Sequence, residues 1–185
     1  MNLKPKDQEH AWRNLLSQAE HLPQGLILVG PAGVGKRRSV RALFQWINCT
    51  GERSVDLGAC GVCSSCLKVA NDRHTDWIEL SPKGDTIAVD DLREMKKGLY
   101  YPPLEAKQRF VVIDHAHKLG NSSANTLLKT LEEPPAHTRF FLVTHERGLL
   151  LPTIISRCQF IHFEPLSRET LKELLKELGI EIPMR

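Results

Sequence analysis

Residues 25–37 read GLILVGPAGVGKR. GLILVG (25–30) is a short, continuous apolar run, the pattern of a strand buried on both faces. Gly30, four further residues, Gly35 and Lys36 follow, and a helix is predicted from about Lys36 to Ile47. Strand, GxxxxGK, then helix is the setting in which this motif binds phosphate. Gly30, Gly33 and Gly35 let backbone amides close around phosphate oxygens, and the helix N-terminus adds partial positive charge. Lys36 can reach the terminal phosphates. The competing reading is a surface strand-to-helix turn that holds no ligand.

The next position departs from the pattern. It calls for Ser or Thr, whose hydroxyl ligates Mg²⁺, and the chain has Arg37. Ser39 cannot stand in, because two positions along a helix it points to another side. Arg37 puts a fixed cation near the metal's usual place, so Mg²⁺ is not expected. A second departure lies in RFVVIDHA (109–116), an apolar strand that ends in an acid. Asp114 could hold a metal-bound water, but the following position, where a glutamate would activate the attacking water, is His115. A histidine can be a general base. Neutral or cationic, it is a poor copy of a carboxylate, and a strand-end histidine on a surface loop is the preferred reading. ATP binding stays open, and Mg²⁺-dependent hydrolysis is disfavoured.

The rest of the chain alternates strands and helices. Residues 7–22 have helical apolar spacing, ended by Pro23. DWIEL (76–80), RFFLVT (139–144) and CQFIHF (158–163) are further strand candidates. Asp90–Leu99 reads as a helix with Leu92, Met95 and Leu99 on one stripe. SSANTLLKTLEE (122–133) is a helix that Ser122 or Ser123 can cap and Pro134-Pro135 stop. SRETLKELLKELG (167–179) is an amphipathic helix with Ser167 as cap and Gly179 as stop. This order predicts an α/β fold, a mostly parallel sheet sandwiched by helices. Ligands in such folds sit beyond the carboxyl ends of the strands, so the glycine loop and Asp114 could face one site.

The chain has 185 residues, 41% hydrophobic and 25% charged, enough for one ordinary domain with a core of its own. No apolar run approaches the roughly 20 residues of a membrane span. MNLKPKDQEHAW has no apolar signal region, so a cytoplasmic protein is expected. A net charge of +3 permits contact with nucleic acid without arguing for it.

Five cysteines in such a chain point to metal rather than disulfides. CGVCSSC sets Cys60, Cys63 and Cys66 at two-residue gaps, with Cys49 upstream. Four thiolates satisfy a tetrahedral, structural Zn²⁺ and leave no open position for catalysis. An iron–sulfur centre and free thiols are the alternatives. Cys158 stands apart and reads as core.

NTLLKTLEEPP (125–135), RFFLVT (139–144) and LLPTIISRCQF (150–160) closely resemble the clamp-loader branch of the AAA+ ATPases. Ser156-Arg157-Cys158 matches the SRC motif of that branch. A four-Cys module inserted after the first helix, here at 49–66, is similar to the bacterial DNA polymerase III clamp-loader subunits gamma/tau and delta prime. The resemblance covers about residues 8–175. It implies an AAA+ P-loop core over 1–165 and the start of a helical lid domain over 166–185. The ATPase subunit would keep GKT or GKS and a DE pair. With Lys36-Arg37 and Asp114-His115, the chain looks more like delta prime, a stator with a degenerate site.

The resemblance also implies that Arg157 acts in trans on ATP held by a neighbouring subunit, and that Thr144 matches the sensor-1 position. The implied partners are gamma/tau and delta, with the sliding clamp and primed DNA reached through the complex, and no membrane. The chain stops about one helix into the lid, before the collar that joins such subunits, so a monomer is expected in isolation. The rival reading is a divergent ATPase in which Arg37 supplies part of the metal's charge and His115 orients water. A stand-alone zinc-dependent DNA-binding module is a weak third, because GVCSSCLK has one Lys and no aromatic ring.

Overall fold

The computed structural model describes residues 5–177 and 179. The first helix, α1 (Glu9–Ser17), is followed by β1 (Gly25–Val29) and α2 (Lys36–Asn48). A small module then inserts: β2 (Arg53–Ser54), β3 (Gly58–Ala59) and α3 (Ser64–Ala70). The main sheet resumes with β4 (Trp77–Leu80), α4 (Val89–Gly98), β5 (Arg109–Ile113), α5 (Asn121–Glu132) and β6 (Thr138–Thr144). It ends with α6 (Pro152–Ile155), β7 (Gln159–His162) and α7 (Arg168–Glu177). Five strands form one parallel sheet in the order β4-β5-β6-β1-β7. Every strand candidate of the sequence is in it.

The two-residue period of a strand divides the core. Leu26 and Leu28 of β1, Phe110 and Val112 of β5, and Phe141 and Val143 of β6 meet Trp12, Leu15, Leu43 and Phe44 from α1 and α2. Their neighbours Ile27, Val111, Ile113, Phe140 and Leu142 meet Leu92, Met95, Leu127 and Leu131 from α4 and α5. β1 and β5 are buried along their whole length and, apart from Arg109 at the start of β5, read as unbroken apolar runs. The edge strands β4 and β7 do not.

Three local details differ from the sequence reading. The helix over 121–132 starts at Gly120 without a side-chain cap. Ser123 instead lies inside its first turn, buried, and donates to the Ile87 carbonyl at 2.7 Å. The hairpin β2–β3 and α3 carry too little apolar periodicity to be foreseen. Ser167 does cap α7, accepting from the Thr170 amide at 3.2 Å, and Gly179 follows with φ +72°. The lid segment proposed for 166–185 runs past the described residues, as does the stretch at the N-terminus before residue 5.

One buried ion pair holds a long connection. Asp76, just before β4, is fully buried and accepts from the amides of Leu104, Glu105 and Ala106 at 2.8–2.9 Å. Arg109 approaches the same carboxylate at 3.4 Å. It also donates to the carbonyls of Gly98, Tyr101 and Pro102. Burial alone would raise the Asp76 carboxyl, but the three amides and Arg109 outweigh it and its pKa is lowered. The stability this adds is therefore present above the unfolded carboxylate value, about 4, and is lost as pH falls through the folded value. Replacing Asp76 by Ala strands a buried guanidinium and should cost about 3 kcal/mol in urea unfolding. A loss near the roughly 0.5 kcal/mol of a surface pair would refute the staple.

Candidate functional site: a phosphate loop without its metal ligand

The strand order places the site. The chain leaves β1 for the far edge at β4, returns through β5 and β6, and crosses to the other side of β1 at β7. A crevice opens where the order reverses, beyond the carboxyl end of β1. There a cavity of about 330 Å³ is lined by Gly33, Gly35, Lys36, Arg37, Asp114 and Thr144 among others. Gly30 opens the loop that leads into it. The phosphate-loop residues picked out by the sequence thus come together. In-register pairing of Val29 with Thr144 and of Ile113 with Leu142 sets their strand ends side by side.

The loop needs its glycines. Gly30 has φ +152°, and a Cβ there would lie 2.3 Å from the Phe163 carbonyl oxygen. Gly35, at φ +95°, turns the chain into α2. Lys36 is buried and its Nζ donates to the carbonyls of Gly30 and Pro31 at 2.6 and 2.5 Å. Burial lowers its pKa, with Asp114 opposing. Ser39 turns away, its hydroxyl donating to the Gly35 carbonyl at 2.9 Å.

Arg37 stands where a hydroxyl would hold the metal. Its Nη1 is 2.8 Å from Glu79 Oε1 and 3.9 Å from Asp114 Oδ2. The indole of Trp77 steadies Glu79, donating to Oε2 at 3.2 Å. Glu79 escaped the sequence reading. It sits in DWIEL one step before the strand end, and only the sheet brings that edge strand opposite the first turn of α2. The guanidinium has no acceptor atom with which to ligate a cation, and it pairs with the carboxylate a metal would use. Mg²⁺ therefore does not fit this residue set.

His115 follows in left-handed backbone, φ +52°, with its amide donating to Asp114 Oδ1 at 2.9 Å. Its side chain is half-exposed, as expected of a surface histidine. Two other histidines that the sequence did not flag, His117 and His145, also line the cavity, their rings 4.2 Å apart. Burial first, then the neighbouring His145 and His115, lowers the His117 pKa. Thr144 is buried, donates to the Glu146 carbonyl at 3.0 Å and meets His117 Nδ1 at 3.3 Å.

Arg157 belongs elsewhere. Its backbone carbonyl lies against Gly25, 3.4 Å from where a Cβ would be, at the amino end of β1. The loop is at the other end, roughly 16 Å away at about 3.3 Å per residue. Its guanidinium pairs with Glu132 at 2.8 Å and donates to the Thr153 carbonyl at 2.9 Å.

The four cysteines converge. The sulfurs of Cys49, Cys60, Cys63 and Cys66 all lie within 4.8 Å of one another. Zn–S bonds of about 2.3 Å in a tetrahedron put sulfurs roughly 3.8 Å apart, and Cys60 and Cys66 are at 3.9 Å. The Cys63 amide lies 3.4 Å from Cys60 Sγ, a donor that favours thiolate charge. Gly51 allows the tight approach, since a Cβ there would meet Cys60 Sγ at 2.8 Å. The donor set fits one tetrahedral ion.

Comparison with known proteins agrees with this architecture. Residues 6–167 match the family described as DNA polymerase III, delta subunit. The chain belongs to that family. It is 37% identical over 149 residues to DNA polymerase III subunit tau of Salmonella typhimurium, covering 80% of this chain and 23% of tau. A DNA polymerase III gamma subunit-related protein of Thermotoga maritima superposes with a TM-score of 0.61 at 24% identity, over 91% of this chain and 53% of that one. The RuvB Holliday junction branch migration motor of the same organism gives 0.57 at 19%, over 96% and 54%. The chain thus spans about a quarter of the tau relative and about half of these two structures. The fold is the AAA+ P-loop type, as the sequence motifs implied.

Protein purified without added zinc should carry about one Zn per chain, measured by elemental analysis. Cys60→Ser should lower that content and loosen the segment 49–66, read by hydrogen exchange. A brown chromophore with iron in place of zinc would overturn the assignment.

Proposed function

We propose that this chain is a delta prime-type subunit of the DNA polymerase III clamp loader. It would act in the cytoplasm, in DNA replication, helping to load the sliding clamp on primed DNA. Its partners would be the gamma/tau and delta subunits. Residues 1–165 would form the AAA+ core with a structural zinc module, and 166–185 the start of the lid. The chain would work as a stator that hydrolyses little or no ATP itself and lends Arg157 to the ATP of a neighbour.

The observation that carries this reading is the triad Arg37–Glu79–Asp114, in which a guanidinium takes the metal's place. The position of Arg157 supports the trans role. It lies at the end of the sheet opposite the loop, on the surface, with a planar fork suited to the charge of phosphoryl transfer. The alternative is a gamma/tau-like ATPase, favoured by the identity to tau.

Two measurements separate the readings. The isolated chain should not turn over Mg·ATP, and a turnover abolished by Lys36→Ala would establish the ATPase instead. In a loader assembled with its partner subunits, Arg157→Ala should lower the ATPase rate by about 10³-fold, the scale of an arginine finger. An unchanged rate would remove Arg157 from catalysis.

A further inference from the structure

We infer that the cavity beyond β1, β5 and β6 is an oligophosphate site that carries its own cation, Arg37, and binds a triphosphate chain without a divalent metal. The inference rests on the degenerate-site reading above and adds what the site still takes. A phosphate-holding loop needs glycine backbone that lets amides close in and a cation at the start of its helix. This one keeps Gly30, Gly33 and Gly35 in left-handed or near-extended conformations that other residues adopt at a cost. It keeps Lys36 at the helix start, its ammonium over the loop carbonyls.

The cation is fixed in place. Glu79 holds Arg37 at 2.8 Å and is itself held by Trp77. Asp114 flanks it at 3.9 Å. A guanidinium carries five N–H donors, so pairing with Glu79 does not exhaust it, and its planar fork matches phosphate oxygens in pairs. Arg38 lines the same cavity. Lys36, Arg37 and Arg38 line the cavity with Asp114 as its carboxylate, a lining suited to an anion. A divalent ion brought in with the ligand would meet Arg37 at the carboxylates, and like charges at such distances repel. Mg²⁺ should compete with the site rather than complete it.

The test is calorimetric titration of the 185-residue chain with ATP and with inorganic tripolyphosphate, each in EDTA and in excess Mg²⁺. Binding in EDTA is expected to be as tight as in Mg²⁺, or tighter. Arg37→Ala should weaken it about tenfold, the loss of one charged hydrogen bond. Arg37→Thr should make ATP binding tighter in Mg²⁺ than in EDTA. Thermal melts of both variants confirm that they fold. Tighter binding of ATP than of tripolyphosphate would support a nucleoside triphosphate as the ligand, and equal binding would support the phosphate chain alone. Wild-type binding that Mg²⁺ strengthens about tenfold, unchanged binding by Arg37→Ala, or no binding in either condition would overturn the inference. The stator reading fails on a separate result, hydrolysis by the isolated chain, so the two cannot be confused.

Discussion

Gly30 lies against the backbone of Phe163, closer than any side chain permits. That contact ties the exit of β1 to the segment that follows β7. It depends on β1 running between β6 and β7 in parallel register. It also fixes the direction in which the loop leaves the sheet. With β1 immobilised by burial on both faces, the loop has one place to go, over the ends of β5 and β6. Asp114 and Thr144 are waiting there because their strands end at matching register. The cavity is a consequence of strand order and does not need its own folding signal.

Within that cavity the chemistry turns on which group occupies a single point. A hydroxyl after Lys36 would leave Asp114 available to a metal and its water. Arg37 converts the same point into an internal ion pair with Glu79 and Asp114. Lys36 stays over the loop carbonyls of Gly30 and Pro31, while the guanidinium beside it offers a metal no acceptor atom. His115, half-exposed, lines the same cavity with its Nδ1 3.4 Å from Asp114 Oδ2.

The sheet also has two chemically different ends. The carboxyl ends of β1, β5 and β6 carry the phosphate loop. The amino end of β1 meets Arg157 and Cys158, just past the end of α6. A strand of five residues separates them. No side chain spans that distance, so Arg157 does not reach the cavity of its own chain. The staple of Asp76 and Arg109 does comparable work for the 99–108 connection, tying a run of exposed Tyr100, Tyr101 and Leu104 to the rigid sheet.

What the sequence determined by itself was whatever depends on period and spacing. Continuous apolar runs marked the buried strands, GxxxxGK marked the loop, and C-x₂-C-x₂-C with Cys49 marked the four sulfurs that converge. Each is a local pattern, because the atoms that must cooperate are close along the chain or share one element. Only the tertiary structure decided the rest. Glu79 stands 42 residues from Arg37 and looks like any polar residue on an edge strand. Asp76 binds amides 28 to 30 residues away, and Ser123 spends its hydroxyl on Ile87 instead of capping its helix. These groups are partners because the sheet sets their strands in register, and register between distant segments is fixed by the packed core, not by the residues on either side of each one.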